Sequence, residues 1–172
     1  MLRTALLTPD DLLPEQFTVT GAPSGVGDST LSGCPTLSSD PAGATATASV
    51  ALTDAAGTPI VTDVLMQLPA VSATKAMASF AELPTTCPTV TANLQGTPVS
   101  FTTAPLAIPP LGDASTAARM TAVLSGLTVY QDVVAIRHEN TMVFVLDTWL
   151  SVNPDLTATT ARAAFAKVAA RW

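Results

Sequence analysis

Between Ala44 and Thr53 polar and apolar residues alternate, with Thr45, Thr47 and Ser49 against Ala46, Ala48, Val50 and Leu52. A period of two is that of a half-buried strand. Asp54-Ala55-Ala56-Gly57 turns the chain, and residues 59–68 return as a second strand. The period then lengthens. From Pro69 a helix follows, with Val71, Lys75, Met77, Phe80 and Leu83 as its landmarks; the spacing of Ala73, Met77, Phe80 and Glu82-Leu83 fits one buried face, and Pro84 stops it. Strands follow at 89–95 and 98–104, joined by Gln95-Gly96-Thr97. Beyond a proline-rich crossing from Pro105 to Pro110 come further strands at 117–124 and 129–137. The clearest hairpin joins the last of these to 141–149. Its tip is Glu139-Asn140, where Asn can take the positive φ of a tight turn.

Two further helices bracket this pattern. Thr8-Pro9-Asp10-Asp11 starts a short one, with Thr8 as N-cap, Pro at the first helical position and Leu12, Leu13 and Phe17 as its apolar side. Thr157 is the expected N-cap of a final helix that turns Ala161, Phe165, Val168 and Trp172 inward. Residues 21–43, rich in Gly, Ser, Pro and Asp, read as a mobile loop. This order predicts an α+β fold, a mostly antiparallel sheet of about six to seven strands with helices packed on it. Residues 1–172 read as one domain, long enough to bury a core.

Composition narrows the setting. Charged residues are 12% of the chain, about half the usual share. The positive mean hydropathy of +0.42 comes from Ala and Val, because aromatics are only 5%. Thr, Ser, Asn and Gln must therefore supply most of the polar surface. The net charge is −6, and only Arg162, Lys167 and Arg171 cluster. Nucleic-acid binding, which needs a basic patch, is excluded, and an anionic membrane surface is disfavoured. No apolar run is long and uninterrupted enough for a transmembrane helix.

The only two cysteines, Cys34 and Cys87, each precede a proline. An even count in turn-like contexts reads as one disulfide and places the protein outside the cytosol. Such a bond would close a loop of about 50 residues, worth roughly 4 kcal/mol on the chain-entropy model. The alternative is two buried thiols in a cytosolic protein. Met1-Leu2-Arg3 runs into Thr8-Pro9-Asp10 without the apolar stretch of a signal peptide. An exported protein of this sequence is then expected to have lost its leader or anchor.

Catalytic and metal chemistry find little support. His138, the only histidine, falls beside the Glu139-Asn140 turn, where side chains are solvated. One His and two paired Cys cannot assemble an ordinary zinc site, and no Gly-x-Ser-x-Gly elbow or glycine-rich phosphate loop is present. A two-residue turn would set Asp132 opposite Asp147, a pair expected to splay into water at the strand ends. Arg119 and Arg137 could hold an anionic ligand by the guanidinium fork, or form structural pairs with Asp113, Asp132 or Glu139. Tyr130 and Trp149, at the hairpin's open end, could line a pocket or cap the core. No cofactor is expected.

Several segments taken together resemble a known family. They are Leu6-Leu7-Thr8-Pro9-Asp10-Asp11-Leu12, Leu83-Pro84-Thr85-Thr86-Cys87, Gly112-Asp113-Ala114-Ser115, Ala118-Arg119-Met120-Thr121, and the run from Val133 to Asn140 followed by Val143-Phe144-Val145. In this order they are similar to the PknH-like extracellular sensor-domain family, which includes the external domain of an actinobacterial Ser/Thr kinase and secreted or lipid-anchored sensor-domain lipoproteins. The resemblance implies a sheet with helices on it, a large cleft for an undefined ligand, and a place outside the cell membrane. One departure is that the kinase's domain carries two disulfides, whereas this chain has cysteines for one.

The expectation is a non-enzymatic ligand-binding or sensor module of the cell envelope, taking a small, partly apolar molecule or lipid in a cleft. Arg119, Tyr130, Arg137 and Trp149 are its candidate ligand residues. The alternative is a structural or interaction domain that docks another envelope protein.

Overall fold

The computed structural model describes residues 2–12, 16–21, 34, 43–57, 60–94, 97–151 and 153–171. Its centre is one eight-stranded sheet in the order β1-β2-β3-β8-β7-β6-β5-β4, with every neighbouring pair antiparallel. The strands are β1 (Thr18–Gly21), β2 (Ala46–Thr53), β3 (Ile60–Gln67), β4 (Thr89–Leu94), β5 (Thr97–Leu106), β6 (Ala114–Leu124), β7 (Leu127–His138) and β8 (Thr141–Trp149). The α+β expectation holds, with one more strand than its upper count. The addition is β1, a four-residue edge strand whose pairing with β2 shifts register between Val19 and Gly21.

Helices cover both faces. α1 (Ala70–Ala81) packs on β6 and β7, and the short α2 (Leu83–Thr86) follows it. Ala73, Met77 and Phe80 recur at helical spacing and form the buried side of α1. Pro84 does not end helical structure outright. It sits at the start of α2, where a missing N–H costs nothing. Cys87 follows, bonded to Cys34, so the expected disulfide is present and lies in the core of this face. Apart from Cys34, the segment read as a mobile loop lies mostly outside the described residues.

The opposite face is covered by α3 (Pro154–Ala169) and by two N-terminal 3₁₀ turns, Leu2–Ala5 and Pro9–Leu12. The expected first helix is thus only a turn. Asp11 accepts bonds from the Thr8 N–H and hydroxyl, which closes it. Phe17 is buried in this face's core, and Leu13 lies outside the described residues. α3 starts earlier than expected, because Asn153 is its cap: Oδ1 accepts the Leu156 N–H, with Pro154 next in the chain. Thr157 therefore sits in the first turn of the helix rather than before it. Ala161, Ala164 and Val168 are buried, Phe165 is half-buried, and Trp172 lies outside the described residues.

The β7–β8 hairpin has its expected register, but the positive φ falls on Glu139 (51°), not on Asn140. A strap from the preceding loop holds that tip. The Asp113 N–H donates to the Arg137 carbonyl at 2.8 Å, and Asp113 Oδ2 accepts the Glu139 N–H at 2.7 Å. Gly112 makes the approach possible. Its φ is +62°, and a Cβ there would lie 2.4 Å from the Arg137 carbonyl oxygen.

Candidate functional site

Along a strand, side chains alternate between faces, so register fixes which residues meet. Arg119 on β6 pairs with Asp132 on β7, and Asp132 pairs with Asp147 on β8. Val61 on β3 pairs with Asp147, which places Asp63 two residues along on the same face. The result is a row, Arg119–Asp132–Asp147–Asp63, across four adjacent strands beneath α3 and the N-terminal turns. All three aspartates are fully buried, at 0% exposure.

The expected splaying of Asp132 and Asp147 into water does not occur. The strands continue past both residues, so the pair lies inside the sheet rather than at its end, and the helical layer closes over it.

The three carboxyl groups differ in their partners. Asp132 is well satisfied. Arg119 Nε and Nη2 donate to its two oxygens at 2.7 and 2.8 Å, and the Thr157 hydroxyl donates to Oδ2 at 2.9 Å. This is the bidentate fork, the strongest common form of the ion pair. Asp63 is half satisfied: Oδ2 accepts the Leu7 N–H at 2.9 Å, while Oδ1 has no partner among the described residues. Asp147 has none for either oxygen, and the buried Trp149 Nε1 is likewise unpartnered.

Proton affinity follows from these surroundings. Burial, reinforced by the charge on Asp132, pushes the Asp147 carboxyl well above the usual carboxylate range. Burial also pushes Asp63 up to about 7, opposed by the Leu7 N–H and Lys167, while Asp11 adds to the rise. Lys167 itself pairs with Asp11 at 2.6 Å. A carboxyl group that keeps its proton can donate as well as accept, and burial of the neutral form is far less costly than burial of the charge.

Of the four residues singled out as ligand contacts, the structure brings three together. Arg119 flanks the row, already engaged by Asp132, and Tyr130 stands directly opposite Trp149 on the same face. Tyr130 is half-buried and Trp149 fully buried. Arg137 pairs with Met142 on the other face, that of α1. His138 is less solvated than its turn position implies. Its ring meets Phe165 of α3 edge-on, centroids 5.6 Å apart, and Nδ1 is buried without a partner among the described residues.

Asp63 and the role of Thr157 escaped the sequence reading. The signal for Asp63 was present, an acid at an inward position of the apolar run Ile60-Val61-Thr62-Asp63-Val64-Leu65-Met66. Among the described residues, no group of three or more His, Cys, Asp or Glu side chains is placed to hold a metal ion. No described helix is long and apolar enough to cross a membrane.

An antiparallel sheet with helices on both faces defines the class of fold. In that respect the chain is similar to the extracellular domain of PknH from Mycobacterium tuberculosis, known from its crystal structure, with a TM-score of 0.55 and 13% identity. The match covers 74% of this chain and 66% of that one, so the chain spans just under two thirds of that domain's length. At this identity the likeness is one of fold, and the sensor-domain resemblance holds at that level. No protein-family model and no curated protein matches the sequence.

Proposed function

We propose that this chain is a non-catalytic, extracytoplasmic sensor-type domain of the cell envelope that binds a small, partly apolar molecule or lipid. The observation that carries the reading is the shared fold with an extracellular sensor domain. The Cys34–Cys87 disulfide supports it, since such bonds persist in oxidising compartments. Support for a non-catalytic role is steric. The carboxyl groups with the most displaced proton affinity, Asp63 and Asp147, are sealed beneath the helical layer, out of a substrate's reach.

We place the ligand at the Tyr130–Trp149 end of the face, against the half-buried Tyr130 ring and beside Arg119, with the buried Trp149 behind them. Native mass spectrometry of protein from its own producing organism, followed by solvent extraction, tests this. The expected result is a bound lipid or small molecule whose retention falls in Tyr130→Ala and is unchanged in Arg137→Ala on the opposite face.

A clean apo mass would overturn ligand binding and favour docking of an envelope protein. One observation supports that second reading. Val19, Ile60, Val123, Leu127 and Leu150, five of the exposed large apolar residues, all lie towards one end of the sheet.

A further inference from the structure

The helical layer over the carboxylate row is tied together by polar contacts of its own and packs on the sheet through a shared apolar core. Within the layer, Lys167 of α3 pairs with Asp11 of the second 3₁₀ turn, and Arg171 Nη2 donates to the Thr4 carbonyl of the first. Its polar attachments to the sheet run to the row: the Leu7 N–H to Asp63 and the Thr157 hydroxyl to Asp132. Asp147 lies between those two attachment points with both oxygens unpartnered among the described residues.

We propose that the Asp63–Asp147–Asp132 row is a proton-operated latch: α3 and the two N-terminal turns stay seated while the row holds its protons, and loosen as it loses them. This inference concerns one layer's hold on the sheet and stands whether or not the domain binds a ligand.

Charge counting supports it. The groups facing Asp147 and Asp63 are Asp132 from β7, Arg119 from β6, Lys167 from α3 and Asp11 from the second turn. Tyr130 and His138 lie on the same face at the two ends of β7. Arg3 of the first turn is exposed. Arg119 is already committed to Asp132 and Lys167 to Asp11. With one proton on Asp147 and one on Asp63, the row carries a single carboxylate matched by a single guanidinium. Each proton lost adds a buried negative charge with no free cation among the described residues to meet it; one charge falls at the Asp63 attachment and the other on Asp147, between the two attachments.

The sign follows from linkage. Both carboxyls bind protons more tightly in the fold than in the unfolded chain, so acid favours the fold and the advantage fades as pH rises. For Asp63 the loss runs from its ordinary value of 3.8 up to about 7; for Asp147 it likewise runs upward from the ordinary value, driven by burial and the charge on Asp132. Each carboxyl should raise the unfolding constant about tenfold per pH unit inside its window, which for Asp63 alone comes to roughly fifty- to a hundredfold between pH 5 and pH 7.

Urea unfolding of the whole chain from pH 5 to pH 8 tests the latch, alongside Asp147→Asn and Asp63→Asn. The wild type should lose stability as pH rises, and each variant should flatten the curve by about one carboxyl's share. A flat wild-type curve, or variants that keep its full slope, would overturn the proposal. If a variant fails to fold, carboxyl-carbon NMR of the wild type decides: Asp147 still protonated at pH 7 supports the latch, and both groups ionised at pH 6 defeat it. Hydrogen exchange, corrected for intrinsic rates, locates the effect. Amides of α3 should lose protection from pH 6 to pH 8 before those of α1, and equal loss on both faces would sink the latch as a local device.

Discussion

On the face beneath α1 and α2, the buried side chains are apolar or half-cystines: Val64, Met66, Met77, Phe80, Val90, Phe101, Met120 and Met142 surround Cys34 and Cys87. Beneath α3 and the N-terminal turns lie all the buried polar side chains among the described residues, namely Asp63, Asp132, Thr141, Asp147, Thr157 and Thr160. The two faces share one sheet and similar aliphatic packing, yet they are closed differently. One is sealed by a covalent bond and apolar contact, neither of which responds to pH. The other depends on an ion pair, a hydroxyl and retained protons, so its stability is a function of conditions. A sheet covered on both sides can thus be rigid on one side and conditional on the other.

That contrast can be broken most forcefully at Arg119. Arg119→Ala leaves the Asp132 carboxylate buried without its cation, and should cost roughly 3–5 kcal/mol in urea unfolding. A loss below about 1 kcal/mol would mean that the row is hydrated and the face is not dry. The covalent side comes next. Replacing both Cys34 and Cys87 by Ser should cost about 2–4 kcal/mol while leaving the slope of stability against pH unchanged. If that slope changes, the two faces are coupled through the sheet and the contrast fails. The smallest effect sharpens the picture: Thr157→Val removes one donor to Asp132 at nearly constant volume, for a loss of about 1.5–3 kcal/mol. A neutral outcome would show that α3 is seated by its apolar side alone.

Much of this architecture was legible in the residues. The two-residue alternation from Ala44 onwards, the helical spacing of Ala73, Met77 and Phe80, and the Glu139-Asn140 hairpin each follow from one dominant local preference. The Asp132–Asp147 pairing was legible too, because turn length sets hairpin register. Their burial was not, since it depends on a helix that arrives from elsewhere in the chain. β1 is too short, at four residues, to show a period. The start of α3 was misplaced because Asn153 and Thr157 are both good capping residues, and only Pro154 beside Asn153 favours the earlier site. Arg137 and Arg119 read alike in sequence, and a parity difference along the strands sends them to opposite faces.

The strand order has a consequence for how the molecule is assembled. β1, β2 and β3 form one meander and β4 to β8 another, and the pairing of β3 with β8 is their seam. The strand that completes the middle of the sheet is thus the last of the eight to emerge during synthesis or translocation. Until it arrives, the inner edge of β3 has no neighbour and the first meander waits as a separate piece. The seam makes nascent chains cut short before Thr141 incapable of closing the sheet, however complete the rest. It also marks the join at which two separately made fragments, divided between the meanders, would have to recognise each other.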